Sequence, residues 1–87
     1  MKKLLNSLYV TTQGSYLHKE RETLVIEQER KKVLQFPLLA IENIFCFGNV
    51  MMSPSLMSFC GERNVGVAFL TEYGKFCLLY TSDAADE

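Results

Sequence analysis

The chain has 87 residues, of which 48% are apolar and 22% are charged, and its formal net charge is −1. This length fits one domain, and the composition is typical of a folded protein and not of a disordered tail. The near-neutral charge excludes a general electrostatic attraction to nucleic acid, which normally requires a basic surplus or patch.

The N-terminus and the cysteines both favour a cytoplasmic protein with no membrane partner. Two lysines and two leucines follow the first methionine, but Asn6 ends the apolar run before it reaches the length of a signal peptide. No stretch approaches the roughly 18 apolar residues that span a bilayer. The cysteines, Cys46, Cys60 and Cys77, are odd in number and lack paired spacing, which is typical of reduced thiols.

Alternation of apolar and polar residues predicts three strands in the first third of the chain. They are SLYVT, residues 15–20 and residues 23–28. Arg21 and Glu22 lie between the second and third strands, so we expect these two strands to form a hairpin.

A short charge run, Arg30 to Lys32, is predicted to be a solvated loop. The alternation then resumes, with three apolar residues on one face: Leu34, Phe36 and Leu38. Pro37 lacks a backbone donor, which argues for an edge strand or a strand end.

The unbroken apolar run Ile44 to Phe47 predicts a strand that is covered on both faces. Such a strand needs a second layer, which a helix, another sheet or a partner subunit could supply. Ser53 and Pro54 are typical of a helix start, and Asn64 is a suitable residue for its end. The apolar face of this helix would carry Leu56, Phe59 and Cys60.

The last part of the chain predicts a strand at residues 65–70 and a turn at residues 73–75 into a strand that starts at Phe76. The eleven residues CLLYTSDAADE, Cys77 to Glu87, match the translation of a transposon-end adapter used in sequencing libraries. We therefore predict one domain at residues 1–76, mostly β with one helix (α+β), forming a small sheet or sandwich. Residues 77–87 are set apart as an adapter-derived tail that interrupts the last strand.

No catalytic or metal site is predicted. His18 is the single histidine, and no partner stands at a spacing typical of a zinc site or a nucleophile–base pair. A thiol enzyme that pairs Cys46 or Cys60 with His18 remains an alternative. Tyr16 is expected on an exposed strand face near Lys19, so these two are the candidate nucleic-acid contacts.

Segments spread over most of the chain resemble one family. In chain order they are SLYVTTQGSYLHKE, TLVIE and FPLLAIENIFCFGNVMMSPSLMSFCGERNVGVAFLTEYGKF. They resemble the N-terminal domain of the CRISPR-associated endonuclease and integrase that acquires new spacers, the Cas-one family, and look closest to the branch found with subtype I-C systems. The resemblance covers Met1 to Phe76. Three positions where the family commonly has glycine carry another residue here: Arg21, Asn43 and Asn64.

The resemblance implies an N-terminal β domain followed by a larger helical catalytic domain, which this chain lacks. Two acidic residues and a histidine of that helical domain would bind magnesium or manganese. The full protein would dimerise through its β domains and join the Cas-two subunit. It would also bind double-stranded DNA and transfer the prespacer ends to the CRISPR repeat by metal-assisted transesterification.

From this resemblance we expect the chain to serve assembly, to bind no cofactor and to be inactive alone. The alternative is a non-enzymatic, β-rich protein-interaction module with no nuclease relative. A complete reading frame that ends after Glu87 would favour that alternative.

Overall fold

Two four-stranded sheets and one helix make up the fold. The computed structural model describes residues 6–80, with side chains described as far as Cys77. The strands are β1 (Ser7–Val10), β2 (Ser15–Glu20), β3 (Thr23–Gln28), β4 (Lys31–Pro37), β5 (Asn43–Phe47), β6 (Val50–Met52), β7 (Gly66–Leu70) and β8 (Phe76–Tyr80). A short 3₁₀ helix, Leu38–Ala40, precedes β5, and the helix α1 (Pro54–Glu62) precedes β7.

The first sheet has the strand order β1-β5-β7-β8, and the second has the order β4-β3-β2-β6. In the first sheet, β1, β5 and β7 are parallel and β8 is antiparallel to β7. In the second, β2, β3 and β4 form an antiparallel meander, and β6 is parallel to β2. The chain thus passes from the first sheet to the second twice, between β1 and β2 and again between β5 and β6.

The core lies between the inner faces of the two sheets and the apolar face of α1. Leu17 of β2, Ile44 of β5 and Leu56 of α1 are fully buried in one cluster. The helix contacts β2 and β7, so it packs against both sheets. Its start follows the sequence signal, because the Ser53 hydroxyl accepts a hydrogen bond from the Leu56 backbone N–H at 3.2 Å.

These findings confirm the mostly β fold with one helix. The strands predicted at residues 15–20 and 23–28 have the predicted bounds, and they form the predicted hairpin. The second layer over β5 is the other sheet together with the helix. Within residues 6–80, no helix is long and apolar enough to cross a membrane.

The prediction of a loop at Arg30 to Lys32 is wrong for its last two residues. Lys31 and Lys32 begin β4, and the turn consists of Glu29 and Arg30, with φ of 55° and 67°. Two successive positive φ angles indicate the type I′ turn that matches the twist of a hairpin. The sequence does not predict this turn, because Glu29 and Arg30 stand where a type I′ turn usually has Asn-Gly. β4 is an edge strand, as Pro37 indicated.

The prediction that β5 is covered on both faces is also wrong. Ile44 and Cys46 are fully buried, but Phe45 and Phe47 point to the outer face and are only half-buried. The apolar run is unbroken because this outer face is aromatic, not because a layer covers it. Leu38, expected on the same strand face as Leu34 and Phe36, lies instead in the 3₁₀ helix after Pro37.

Two of the three positions where the family commonly has glycine have left-handed backbone. Arg21 at the β2–β3 turn has φ of 57°, and Asn64 after α1 has φ of 60°. Arginine fits this region poorly, whereas asparagine tolerates it. Asn43 begins β5, and its side-chain oxygen would lie 2.8 Å from a Cβ placed on the neighbouring Gly66.

Strand β8 runs from Phe76 to Tyr80 and pairs with β7. It therefore includes the first four residues of the segment that sequence analysis set apart as a tail, and the strand is not interrupted at Cys77. Residues 81–87 of that segment lie outside the described residues. The adapter origin of the tail remains a prediction.

The two passages from the first sheet to the second lie side by side and are joined by Gln13. Its side-chain amide donates to the backbone carbonyl of Phe47 at 2.8 Å and to that of Thr11 at 3.1 Å. Its Oε1 accepts from the backbone N–H of Asn49 at 2.6 Å. A further backbone bond links Gly14 N–H to the Asn49 carbonyl at 2.7 Å.

We call this hydrogen-bonded contact between Gln13 and residues 47–49 the joint. Gly48 makes it possible for two separate reasons. Its φ is +79°, and a Cβ at this position would collide with the Gln13 side-chain amide. Gly14 has a similar φ of +86° but open space where a Cβ would lie. Comparing the same substitution at Gly48 and at Gly14 therefore separates the free-energy cost of the backbone conformation from the cost of the collision.

We expect Gly48→Ala to lower the free energy of unfolding by about 3 kcal/mol and Gly14→Ala by about 1 kcal/mol, since only the first adds a collision to the left-handed backbone. Gln13→Ala alone should cost about 1–2 kcal/mol in lost hydrogen bonds. Combined with Gln13→Ala, Gly48→Ala should cost clearly less than it does alone. Urea denaturation of the four variants measures this double-mutant cycle. A Gly48→Ala cost no larger than that of Gly14→Ala would contradict this description of the joint.

Candidate interaction surfaces

The outer face of the second sheet carries two ion pairs beside the exposed side chains of Tyr16 and Met51. His18 Nε2 lies 2.7 Å from Glu27 Oε2, and the Tyr16 ring stacks on the His18 ring with centroids 5.4 Å apart. Lys32 donates to Glu20 Oε1 at 2.9 Å, and this hydrogen bond lowers the pKa of Glu20. A face of this kind is typical of a solvated surface, where such ion pairs stabilise the fold only slightly.

The structure does not bring the two predicted nucleic-acid contacts together. Tyr16 is on the outer face of β2, with 38% of its surface exposed. Lys19 is on the opposite face, and its Nζ lies 5.5 Å from the centre of the Phe59 ring on α1. The two residues are an odd number of positions apart, so strand alternation separates them. Their role in nucleic-acid binding stays a prediction.

The outer face of the first sheet is apolar and aromatic. Tyr9 stacks on Phe45 with ring centroids 5.0 Å apart, and Phe47 lies 6.4 Å from Tyr9. Tyr9 is 55% exposed. The outward positions of β1, β5 and β7 carry no charged side chain: they are Ser7, Tyr9, Asn43, Phe45, Phe47, Gly66, Ala68 and Leu70. We call these eight residues the uncharged face.

Sequence analysis missed this surface because it took the aromatic side chains of β5 for core. The available signal was that Tyr9 on β1 and the phenylalanines of β5 all fall on outward positions. That signal becomes readable only once β1 is known to pair with β5, with Tyr9 beside Phe45.

A cleft of about 500 Å³ lies between the 3₁₀ helix, the start of β5 and the end of α1. Its apolar lining includes Leu39, Ile41 and Phe59, and its polar lining includes Asn43 and Arg63. Leu39 is 73% exposed. The Arg63 guanidinium lies 5.0 Å from the centre of the Phe59 ring.

The described residues do not supply the metal-ligand set that the family resemblance implies. Within residues 6–80, no group of three histidine, cysteine, aspartate or glutamate side chains could hold a metal ion. His18 is paired with Glu27 on a sheet surface and is not part of such a group.

The thiols of Cys46 and Cys60 are poor nucleophiles. Both are fully buried in the core, on β5 and α1. Burial raises the pKa of Cys46 to about 12 and that of Cys60 to about 11. Since the thiolate is the reactive form, the thiol-enzyme alternative has no support in this geometry.

The family model described as CRISPR associated protein Cas1 matches residues 8–86. The chain belongs to the Cas1 family. This is the Cas-one family that the sequence resembles, and the match excludes a module with no nuclease relative. The assignment to the subtype I-C branch stays a prediction.

Curated members of the Cas1 family are similar to this chain over most of its length. A CRISPR-associated endonuclease Cas1 from Chlorobaculum tepidum is 50% identical over 76 residues, and one from Rhodospirillum rubrum is 38% identical over 76 residues. Each match covers 87% of this chain and 22% of the relative. The chain therefore spans about a fifth of the length of these relatives.

Solved Cas1 structures share the fold at low sequence identity. A CAS1 protein from Thermotoga maritima has a TM-score of 0.74 at 19% identity, covering 88% of this chain and 24% of that one. A Cas6-RT-Cas1–Cas2 complex has a TM-score of 0.85 at 13% identity, covering 94% and 9%. A TtCas1–DNA complex has a TM-score of 0.74 at 15% identity, covering 99% and 33%.

We expect a thiol reagent such as DTNB to react rapidly with Cys77 alone in the folded chain at pH 8. Cys77 is exposed, whereas the other two thiols are buried and protonated. In denaturant all three should react. The absorbance of the released thiol product gives the count, and Cys77→Ser serves as the matched control. A fast reaction of Cys46 or Cys60 in the folded Cys77→Ser variant would contradict the buried core described above.

Proposed function

We propose that this chain is the N-terminal β domain of a metal-dependent Cas1 endonuclease and integrase that inserts new spacers into a CRISPR array. The observation that carries the proposal is membership of the Cas1 family by a chain that matches 22% of the length of its curated relatives. The relatives are named endonucleases. In this proposal the magnesium or manganese ligands belong to the helical domain, beyond the residues of this chain.

The role proposed for the β domain is assembly, including dimerisation with a second copy. Support comes from the contrast between the two sheets. The second sheet places ion pairs, as in His18 with Glu27, beside its exposed Tyr16 and Met51. The aromatic side chains on the uncharged face of the first sheet have no charged neighbour on that face. Apolar patches without charge are typical of surfaces that a protein partner covers.

The further partners in this proposal are a Cas2 subunit and double-stranded DNA, both prespacer and CRISPR repeat. Solved structures with the same fold are titled as a Cas1–Cas2 complex and as a Cas1–DNA complex, which supports both partners for the full protein. We place the protein in the cytoplasm, where the arrays and these partners are found. The small net charge fits a domain that leaves most of the DNA contact to another region.

The chain alone should neither cleave nor join DNA. Labelled duplex DNA incubated with the 87-residue chain and Mn²⁺ or Mg²⁺ should stay intact on a denaturing gel, because in this proposal the ligands that position the metal lie in the helical domain, outside these residues. The full-length Chlorobaculum tepidum relative provides the positive control. Cleavage or strand transfer by the 87-residue chain that EDTA abolishes would sink the assignment of this chain to assembly alone.

A further inference from the structure

The inner face of β4 is only partly covered. Two residues of this strand, Leu34 and Phe36, are paired directly with buried core residues of β3. Because directly opposed residues of an antiparallel pair point to the same face of a sheet, Leu34 and Phe36 also point inward. Leu34 is nevertheless 44% exposed, and Phe36 is only partly buried. The first sheet therefore stops short of the inner face of β4.

A groove follows this gap, between β4 and β1. A cleft of about 310 Å³ is lined by residues 8–12 on one side and by Val33 and Leu34 on the other. A second cleft, of about 300 Å³, is lined by residues 6–8 and by Phe36. Leu8 belongs to both linings, so the two clefts lie end to end along β1. No charged side chain of the described residues lines either cleft. We call the two clefts together the edge groove.

The rim of the edge groove on the first sheet is the unpaired edge of β1, which is the outermost strand of that sheet within residues 6–80. The Asn6 carbonyl accepts hydrogen bonds from the backbone N–H groups of Glu42 and Asn43, on the side of β5. Backbone groups of successive strand residues point to opposite sides of the strand. The N–H and C=O groups of Ser7 and Tyr9 therefore point away from β5, toward the open edge.

We propose that a segment of another protein binds the edge groove as an added strand of the first sheet, beside β1. Its backbone pairs with Ser7 and Tyr9, and its inward side chains, which alternate along the strand, cover Leu34 and Phe36. These inward side chains are apolar and uncharged, because the groove offers no charge to pair with them. A compact apolar molecule fits less well, since it would leave the backbone groups of the β1 edge unpaired.

Other occupants fit the edge groove less well than a foreign segment. Five residues precede Asn6, too few for a two-residue turn and a strand along all four residues of β1. The chain after β8 starts from the opposite edge of the first sheet. A second copy that touched only this groove would make a contact about 13 Å long and about 10 Å wide. That area is far below the roughly 800 Å² per partner of a stable interface.

This inference does not rest on the proposed function. The edge groove uses the inner and edge sides of β1, whereas the uncharged face proposed for dimerisation uses its outward side chains. Binding of a strand to the groove and dimerisation through the uncharged face can therefore fail separately.

The probe is the peptide acetyl-Thr-Val-Thr-Val-Thr-amide, titrated into the ¹⁵N-labelled 87-residue chain and followed by NMR. We expect chemical-shift changes centred on the amides of Ser7, Tyr9, Leu34 and Phe36. One control peptide has Asn in place of both valines, and another has Pro in place of the central threonine. Each should bind at least about fivefold more weakly, because the first lacks apolar side chains and the second cannot form a regular ladder.

Two matched pairs of variants separate the backbone from the side-chain contribution. Ser7→Pro removes an N–H from the open edge without removing a bond to β5, and it should weaken binding of the valine peptide at least about threefold. Ser7→Ala retains this N–H and should bind as the unchanged chain does. Leu34→Thr should weaken binding by a similar factor. Gln35→Thr, on the outer face of the same strand, should leave it unchanged.

Several results would overturn the proposal. They are the absence of peptide-induced shifts at these four amides, equal binding of the valine peptide and either control peptide, equal effects of Ser7→Pro and Ser7→Ala, or equal effects of Leu34→Thr and Gln35→Thr. Shifts of the Leu34 and Phe36 amides that follow the concentration of the chain without peptide would also overturn it, because they would assign the edge groove to a second copy. If Ser7→Pro does not fold, the proline peptide tests the backbone contribution on the unchanged chain.

Discussion

The hydrogen bonds of Gln13 across Gly48 link the two segments in which the chain passes from the first sheet to the second. Each sheet has its own ladder of hydrogen bonds, but the chain passes from the first sheet to the second at two places, and these meet at the Gln13 side chain. The meeting requires left-handed backbone at Gly48 and no side chain there. Two of the segments that carry the family resemblance, LYVTTQG and FCFGNV, supply these residues. The fold itself therefore requires these residues, independently of any reaction on DNA.

The two outer faces of the domain differ in the charge of their exposed side chains. The second sheet exposes histidine, lysine and glutamate in pairs, whereas the uncharged face of the first sheet exposes Tyr9 and half-buries Phe45 and Phe47. A solvated face needs no partner, but stacked aromatics without neighbouring charge lower their free energy when another surface covers them. The difference between the faces is the physical basis for the assembly role that we propose for this domain.

Features set by neighbours along the chain were predictable from the sequence, while features set by strand pairing were not. The bounds of β2 and β3 and the Ser53 cap depend on local alternation and a local hydrogen bond. The exposed aromatics of β5 depend on pairing with β1, far away in sequence. The candidate contacts show the same limit: Tyr16 and Lys19 are close along the chain, yet alternation directs them to opposite faces, and α1 then draws Lys19 to Phe59.

Sedimentation velocity at high protein concentration tests the assembly role most directly. The account predicts a dimer for the unchanged chain and a monomer for Tyr9→Glu, because a charge within the uncharged face cannot be desolvated without large cost. Tyr16→Glu, on the solvated sheet, is the matched control and should remain dimeric. The account would be contradicted if the unchanged chain sedimented as a single monomeric species, or if the Tyr9→Glu variant still sedimented as a dimer.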